Sequence, residues 1–166
     1  MADPIHRERR AMFYRYGFES EVYPGLSRIP LYVRLKLDRT GVRLSLKTWL
    51  AFSMEERSAL CHLPVESEEE KKNFFSYLVF LVIKYTGDTP KREQAEDRFP
   101  WDDVGEVPEP VRLRCEQTGK SLGDVGWSRL NVYERYALYK LAVSKNEPEK
   151  FNEALLEFHE KGSGSS

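Results

Sequence analysis

Residues 30–63 read PLYVRLKLDRTGVRLSLKTWLAFSMEERSALCHL, and residues 108–141 read PEPVRLRCEQTGKSLGDVGWSRLNVYERYALYKL. An offset of 78 positions, the separation of Trp49 and Trp127, aligns the two stretches without a gap. Identical pairs are Pro30/Pro108, Val33/Val111, Arg34/Arg112, Leu35/Leu113, Thr40/Thr118, Gly41/Gly119 and Leu44/Leu122. They continue with Trp49/Trp127, Glu56/Glu134, Arg57/Arg135, Ala59/Ala137, Leu60/Leu138 and Leu63/Leu141. Thirteen identities in 34 positions far exceed the roughly two that average residue usage would produce by chance. Self-similarity at one fixed offset marks a repeated supersecondary unit, so the expectation is a chain of two tandem, similar units.

The residue types say what each unit should be. Pro30 and Pro108 stand where proline suits the first turn of a helix, whose N–H has no intrahelical partner anyway. Gly41 and Gly119 suit the left-handed residue that ends such a helix. Ser53-x-x-Glu56 and Asn131-x-x-Glu134 are matching capping boxes that open the next helix. Between them lies a short segment bearing a tryptophan, whose large ring would plug the joint between helices. A longer helix should follow in each half. Ser67-x-x-Glu70 predicts one that runs to about Tyr85, before Gly87. Its run Phe74–Ile83 is apolar on nearly all sides, as in a central buried helix. In the second half, Asn146 is expected to cap a helix carrying Phe151, Leu155 and Phe158 at i, i+4 and i+7.

Outward from the repeats, Gly87–Val107 contains Pro90, Pro100 and many acidic residues and reads as a connector ordered in part around Trp101. The expected organisation is a mobile N-terminus over 1–17 and one helical domain over 18–160. That domain comprises repeats of about 29–86 and 107–160, joined by a linker at 87–106, and a flexible tail follows at 161–166. The fold class is all-α, two tandem helical units packed into one compact domain.

Composition narrows the function classes. With 26 basic and 27 acidic residues, a net charge of −1 and a pI near 6.3, the chain lacks the basic excess of a general nucleic-acid binder. Cys61 and Cys115 form no C-x-x-C motif and no disulfide framework, so a reducing compartment is the default. The arginine-rich stretch Met1–Gly17 has no apolar run of a signal peptide. Phe74–Ile83 is too short to span a bilayer. The expectation is a cytoplasmic protein with no membrane or nucleic-acid partner.

Beyond the repeat, the residues resemble a known family. Ile29-Pro-Leu-Tyr-Val-Arg-Leu-Lys-Leu-Asp38, then Gly41, Leu44, Leu46 and Trp49, then Phe52-Ser-Met-Glu-Glu-Arg57 and Leu60-x-x-Leu-Pro64 look like the nitrate reductase-associated protein family, typified by cyanobacterial proteins. Trp127, Leu130, Glu134-Arg-Tyr-Ala-Leu-Tyr-Lys-Leu141 and Phe151-x-x-Ala-Leu-x-Glu-Phe158 agree in the second half, and Phe18-Glu19 resembles the family's start. The resemblance covers roughly residues 17–160. It implies a link to nitrate reductase and to molybdenum-cofactor synthesis through neighbouring genes. It implies no established activity, cofactor or catalytic residue.

Candidate sites are few. His6, His62 and His159 are scattered, without the spacing of a metal site. Cys61 and His62 are adjacent, so on a helix they point about 100° apart. Cys115 aligns with Leu37 and reads as a small core residue. Gly119-Lys-Ser121 echoes the end of a phosphate-binding loop but lacks its preceding glycine, and its counterpart is Gly41-Val-Arg43, so it reads as a helix cap. No catalytic residue, metal or cofactor is predicted.

Two constellations stand out. Arg34 with Glu56 and Arg112 with Glu134 either pair across two helices or leave the arginines to hold an anion. Tyr133, Tyr136 and Tyr139 replace Glu55, Ser58 and Cys61 and share one helix face at i, i+3 and i+6. That face either packs against the helix of residues 74–83 or meets a partner. The function expected from these features and the resemblance is a non-catalytic accessory protein of nitrate assimilation. It would act by contacts on nitrate reductase or a molybdenum-cofactor protein. The alternative is a binder or sensor of a small anion or cofactor.

Overall fold

The computed structural model describes residues 13–94, 96 and 98–164, the side chains as far as 160. The first half of the chain holds a 3-10 turn at Gly17–Val22, then α1 (Leu31–Thr40), α2 (Leu46–Ala51), α3 (Met54–His62) and α4 (Glu68–Thr86). The second holds a 3-10 turn at Pro100–Asp102, then α5 (Glu109–Thr118), α6 (Asp124–Arg129), α7 (Val132–Val143) and α8 (Pro148–Gly164). The fold is all-α. Extended pairing among the described residues is confined to one isolated bridge, Val42 with Arg92. The chain divides into two compact units, Met1–Glu96 and Asp97–Ser166.

Local signals place the helix ends. Gly41 and Gly119 close α1 and α5 at φ of 74° and 72°, a left-handed conformation that costs a side-chain-bearing residue about 1–2 kcal/mol. All three predicted capping boxes form, at Ser53–Glu56, Ser67–Glu70 and Asn131–Glu134. Two expectations shift. Pro30 and Pro108 sit one residue before their helices as extended N-caps, because the residue preceding the first turn must still be non-helical. Asn146 does not cap α8. The chain turns at Glu147, with φ 53°, and Pro148 opens the helix, supplying the fixed φ of a first turn without needing a donor.

In the first unit, the tryptophan and arginine pack the chain entry onto the helices. The Trp49 ring is fully buried and its indole N–H donates to Leu26 O at 2.9 Å. Arg57 donates to the same oxygen at 3.0 Å and to Phe52 O at 3.2 Å. Leu26 itself has a φ of 47°, a strained value for leucine that these two donors on its carbonyl hold in place. The most enclosed helix is α1, where Leu31, Tyr32, Val33, Leu35, Lys36, Leu37 and Thr40 are all buried. The expectation had given that place to residues 74–83. Helix α4 instead buries one face, Phe74, Leu78, Leu81 and Val82, and leaves Phe80 59% and Ile83 43% exposed. The helix packs against α1, α2 and α3.

In the second unit the tryptophan and arginine 78 residues on also bond to backbone carbonyls, but to two separate oxygens of the preceding chain. Trp127 is fully buried and donates to Asp103 O at 2.7 Å, while Arg135 donates to Trp101 O at 2.7 Å and to Leu130 O. Trp101, Val111, Cys115, Tyr136, Leu138, Phe151 and Phe158 are among its buried residues.

Lys36 ties α1 to the end of α3. Its side chain is fully buried, and its ammonium donates to Leu60 O and Cys61 O at 2.9 Å and to Leu63 O at 2.5 Å. These are carbonyls of the last turn of α3, which lack intrahelical donors and carry the negative end of the helix dipole. Tyr32 and Phe74 offer their ring faces to the same ammonium at 4.3 and 5.6 Å. Position 114, 78 residues on, does the same work with a different cation: Arg114 Nη2 donates to Ala142 O at 3.1 Å and Ser144 O at 3.0 Å, at the end of α7.

Residues 1–12, which hold most of the expected mobile N-terminus and His6, lie outside the described residues, as do 165–166 of the expected tail. The described remainder of the N-terminal stretch carries Tyr16, only 1% exposed.

Lys36→Met leaves two buried carbonyls and one part-buried carbonyl without this donor, so it is expected to destabilise the first unit by about 2–4 kcal/mol. Arg114→Met, at a half-exposed site where water can replace the guanidinium, should cost about 1 kcal/mol. Urea unfolding monitored by tryptophan fluorescence and circular dichroism measures both. Equal costs would remove the capping role assigned to Lys36.

Candidate functional site

The expected arginine–glutamate pairs do not form. Glu56 accepts from Ser53 N at 2.8 Å as a capping-box member, from Tyr85 OH at 2.5 Å and from Lys84 Nζ at 2.9 Å. The tyrosine hydroxyl foremost, with Lys84 and Ser53, holds its carboxyl down at about 2. Its partners come from α4, 28 and 29 residues on, a tertiary neighbour that alignment of the repeats did not indicate. Glu134 is spent in its capping box with Asn131, at 2.9 and 2.8 Å. Arg34 and Arg112 are both exposed. Among the described residues neither makes an ion pair.

The tyrosine face separates into a buried member and two half-buried ones. Tyr136 is fully buried, while Tyr133 and Tyr139 remain partly accessible. Trp101 meets Tyr136 edge-on at 4.8 Å and Tyr139 at 5.4 Å, and stacks on Phe99 at 4.6 Å. Aromatic pairs at such separations contribute beyond the area they bury, so Tyr136 and Tyr139 hold the turn at Pro100–Asp102 onto α7.

Two titratable groups missed by the sequence reading, Glu19 and Lys36, lie in or beside α1, and Cys61 lies near them. Glu19 is buried. Its carboxylate accepts from Tyr23 OH at 2.6 Å and from Leu31 N, the first residue of α1, at 3.3 Å. Burial pushes its carboxyl up to about 7, against the pull of Tyr23, Leu31 and the charges of Arg34 and Arg28. Burial pushes the Lys36 ammonium down to about 7, with Cys61 working the other way. Burial also drives the Cys61 thiol up to about 12, which removes the thiolate a nucleophile needs. Lys36 carried one faint signal, a cation at the same offset in both units, which a search for identities passes over.

The groove that is open in the second unit lies between α5 and α7. It has a volume of about 310 Å3 and is lined by Glu109, Pro110, Leu113, Arg114, Gln117 and Ala142. Arg114 spends Nη2 on the α7 carbonyls, and its other N–H groups have no acceptor among the described residues. Metal-holding groups of three or more histidine, cysteine or carboxylate residues are absent among the described residues. No described helix is long and apolar enough to cross a membrane.

A family model described as conserved nitrate reductase-associated protein matches residues 15–158. Comparison with curated proteins finds no match, and neither does comparison with solved structures.

The two shifted groups of the first unit give opposite pH slopes. Glu19 is raised from 4.5 to about 7. The folded state therefore holds the proton more tightly, and the stability this gives is present at pH 4.5 and lost as pH rises to 7. Lys36 is lowered from 10.5 to about 7, so its contribution rises as pH goes from 7 to 10.5. Urea midpoints measured from pH 4.5 to 7 are expected to show Glu19→Gln gaining on the parent chain, by on the order of 2–3 kcal/mol at pH 7. A difference that does not change with pH would mean that Glu19 is not held in its protonated form.

Proposed function

Because the chain belongs to the conserved nitrate reductase-associated protein family, we propose that it is a non-catalytic accessory protein of nitrate assimilation. It works through protein contacts on nitrate reductase or on a protein that supplies its molybdenum cofactor. The observation that carries this reading is the family match over residues 15–158. The structure supports it through what its reactive groups are doing. Lys36 has all three protons on carbonyl oxygens, Cys61 is buried with its thiol held neutral, and Glu19 caps α1. Each is occupied with holding helices.

A second reading rests on a separate observation. Arg34 and Arg112 are exposed and make no ion pair among the described residues, although the charge of Arg34 reaches Glu19, so each guanidinium can still meet an oxyanion such as nitrate or molybdate. A rise in melting temperature with either anion that is lost in Arg34→Gln or Arg112→Gln supports a binder or sensor.

The decisive test of the first reading is an affinity pull-down of the tagged chain from cells grown on nitrate, with mass spectrometry of what is retained. Nitrate reductase or a molybdenum-cofactor protein is expected among the specific partners. Retention of neither would sink the accessory role. Tyr139→Glu, at a half-buried position, is expected to leave the chain folded and weaken capture. Tyr136→Glu buries a charge and should unfold the second unit, costing more than about 3 kcal/mol.

A further inference from the structure

The groove between α5 and α7, within the second unit, is lined by charges of both signs that do not meet. On α5, Glu109, Leu113 and Gln117 follow one another at i, i+4 and i+8, and Pro110 and Arg114 run beside them at i and i+4. Residues at these spacings are neighbours on one side of a helix, so the acid, the base and the apolar residues between them open on one trough. Pro110, Leu113 and Ala142 of α7 make its apolar part, and Leu113 is 45% exposed there.

Glu109 and Arg114 have opposite charges and form no ion pair with one another. Arg114 is committed to the end of α7, where its Nη2 donates to Ala142 O at 3.1 Å and to Ser144 O at 3.0 Å. Two bonds from one nitrogen fix the plane of the guanidinium, and its Nε and Nη1 hydrogens have no acceptor among the described residues. Glu109 is exposed and has no ion-pair partner among the described residues. The two stand five positions apart on α5, a rise of roughly 7.5 Å along the helix axis.

We infer that this groove binds a small zwitterion, a molecule whose ammonium and carboxylate are joined by a flexible apolar chain. Charge selects this class. A simple anion drawn to Arg114 is repelled by Glu109, and a simple cation drawn to Glu109 is repelled by Arg114. A molecule with both charges suits both walls. Its carboxylate accepts from the unspent N–H groups of Arg114, with the Gln117 amide one turn on, and its ammonium donates to Glu109. Its methylenes lie over Pro110, Leu113 and Ala142 and remove them from water. Length follows from the same geometry. An extended chain advances roughly 1.2 Å per bond, as the backbone does in covering one residue, so about six bonds bridge roughly 7.5 Å. That is the reach of an ω-amino acid such as 6-aminohexanoate, whereas the charges of an α-amino acid are too close together. A volume of about 310 Å3 is at the small end for ligand pockets, and the exposure of Glu109, Leu113 and Gln117 sets a modest affinity.

This site is separate from the accessory role and from Arg34 and Arg112, so neither reading above bears on its test. The full chain, labelled with 15N, is titrated with 6-aminohexanoate while its amide shifts are followed by two-dimensional NMR. Saturable shifts confined to residues 109–117 and 142–144 are expected, with a Kd on the order of 1 mM. Hexanoate and hexylamine, each carrying one of the two charges, should bind at least about threefold more weakly, and so should glycine, whose charges are adjacent. Glu109→Gln should weaken 6-aminohexanoate about threefold to fivefold without weakening hexanoate, and Arg114→Gln should weaken it without weakening hexylamine. Signal dispersion in the same spectra checks that each variant is folded; should Arg114→Gln unfold, the exposed Glu109→Gln decides. Absence of saturable shifts at these residues overturns the proposal. So does binding of hexanoate, hexylamine or glycine as tight as that of 6-aminohexanoate, or a Kd that Glu109→Gln leaves unchanged.

Discussion

A cation placed on the carbonyl end of a neighbouring helix is the contact on which the first unit depends. A helix end buried without donors for its last carbonyls is costly, and α3 ends inside the first unit against α1. Lys36 supplies three donors to that end from a position with no exposure to water. The burial of Leu60 and Cys61 in α3 and the packing of Phe74 from α4 follow from having that end closed. In the second unit Arg114 closes α7 from the equivalent position of α5, in a less enclosed setting.

The same contact explains why the ionisable residues nearest the core make poor reagents. A lysine depressed to about 7 and a glutamate raised to about 7 would, in an open cleft, suggest acid–base chemistry. Here their hydrogen-bonding capacity is taken up by backbone groups and by Tyr23. Perturbed titration reports burial, and the geometry assigns both groups to holding α1 at its start and along its length.

Much of the fold was legible because its signals are local. Gly41, Gly119, the Ser53 and Asn131 capping boxes and the Ser67 box each act within about four residues of chain, and each formed where its residue type requires. Boundaries that depend on more than one turn were less legible. Asn146 looked like a cap, but the turn at Glu147 and the proline after it moved the start of α8. The apolar run of α4 suggested full burial, yet hydrophobic content does not say how many neighbours are available to cover a helix, and Phe80 remains exposed.

The candidate site was legible only as a set of residue types. The amino-acid sequence alone determined that the chain is helical, that Gly41 and Gly119 end their helices, and that the Ser53, Ser67 and Asn131 boxes open theirs. These follow from capping and turn chemistry, which a short stretch of chain carries within itself. Tertiary structure alone decided which charges meet. Glu56 took Lys84 and Tyr85 in place of Arg34, Glu19 reached the start of α1 from 12 residues away, and Lys36 went inward. A charged side chain pairs with whatever the packing brings within about 3 Å, and that distance is set by elements far apart in sequence.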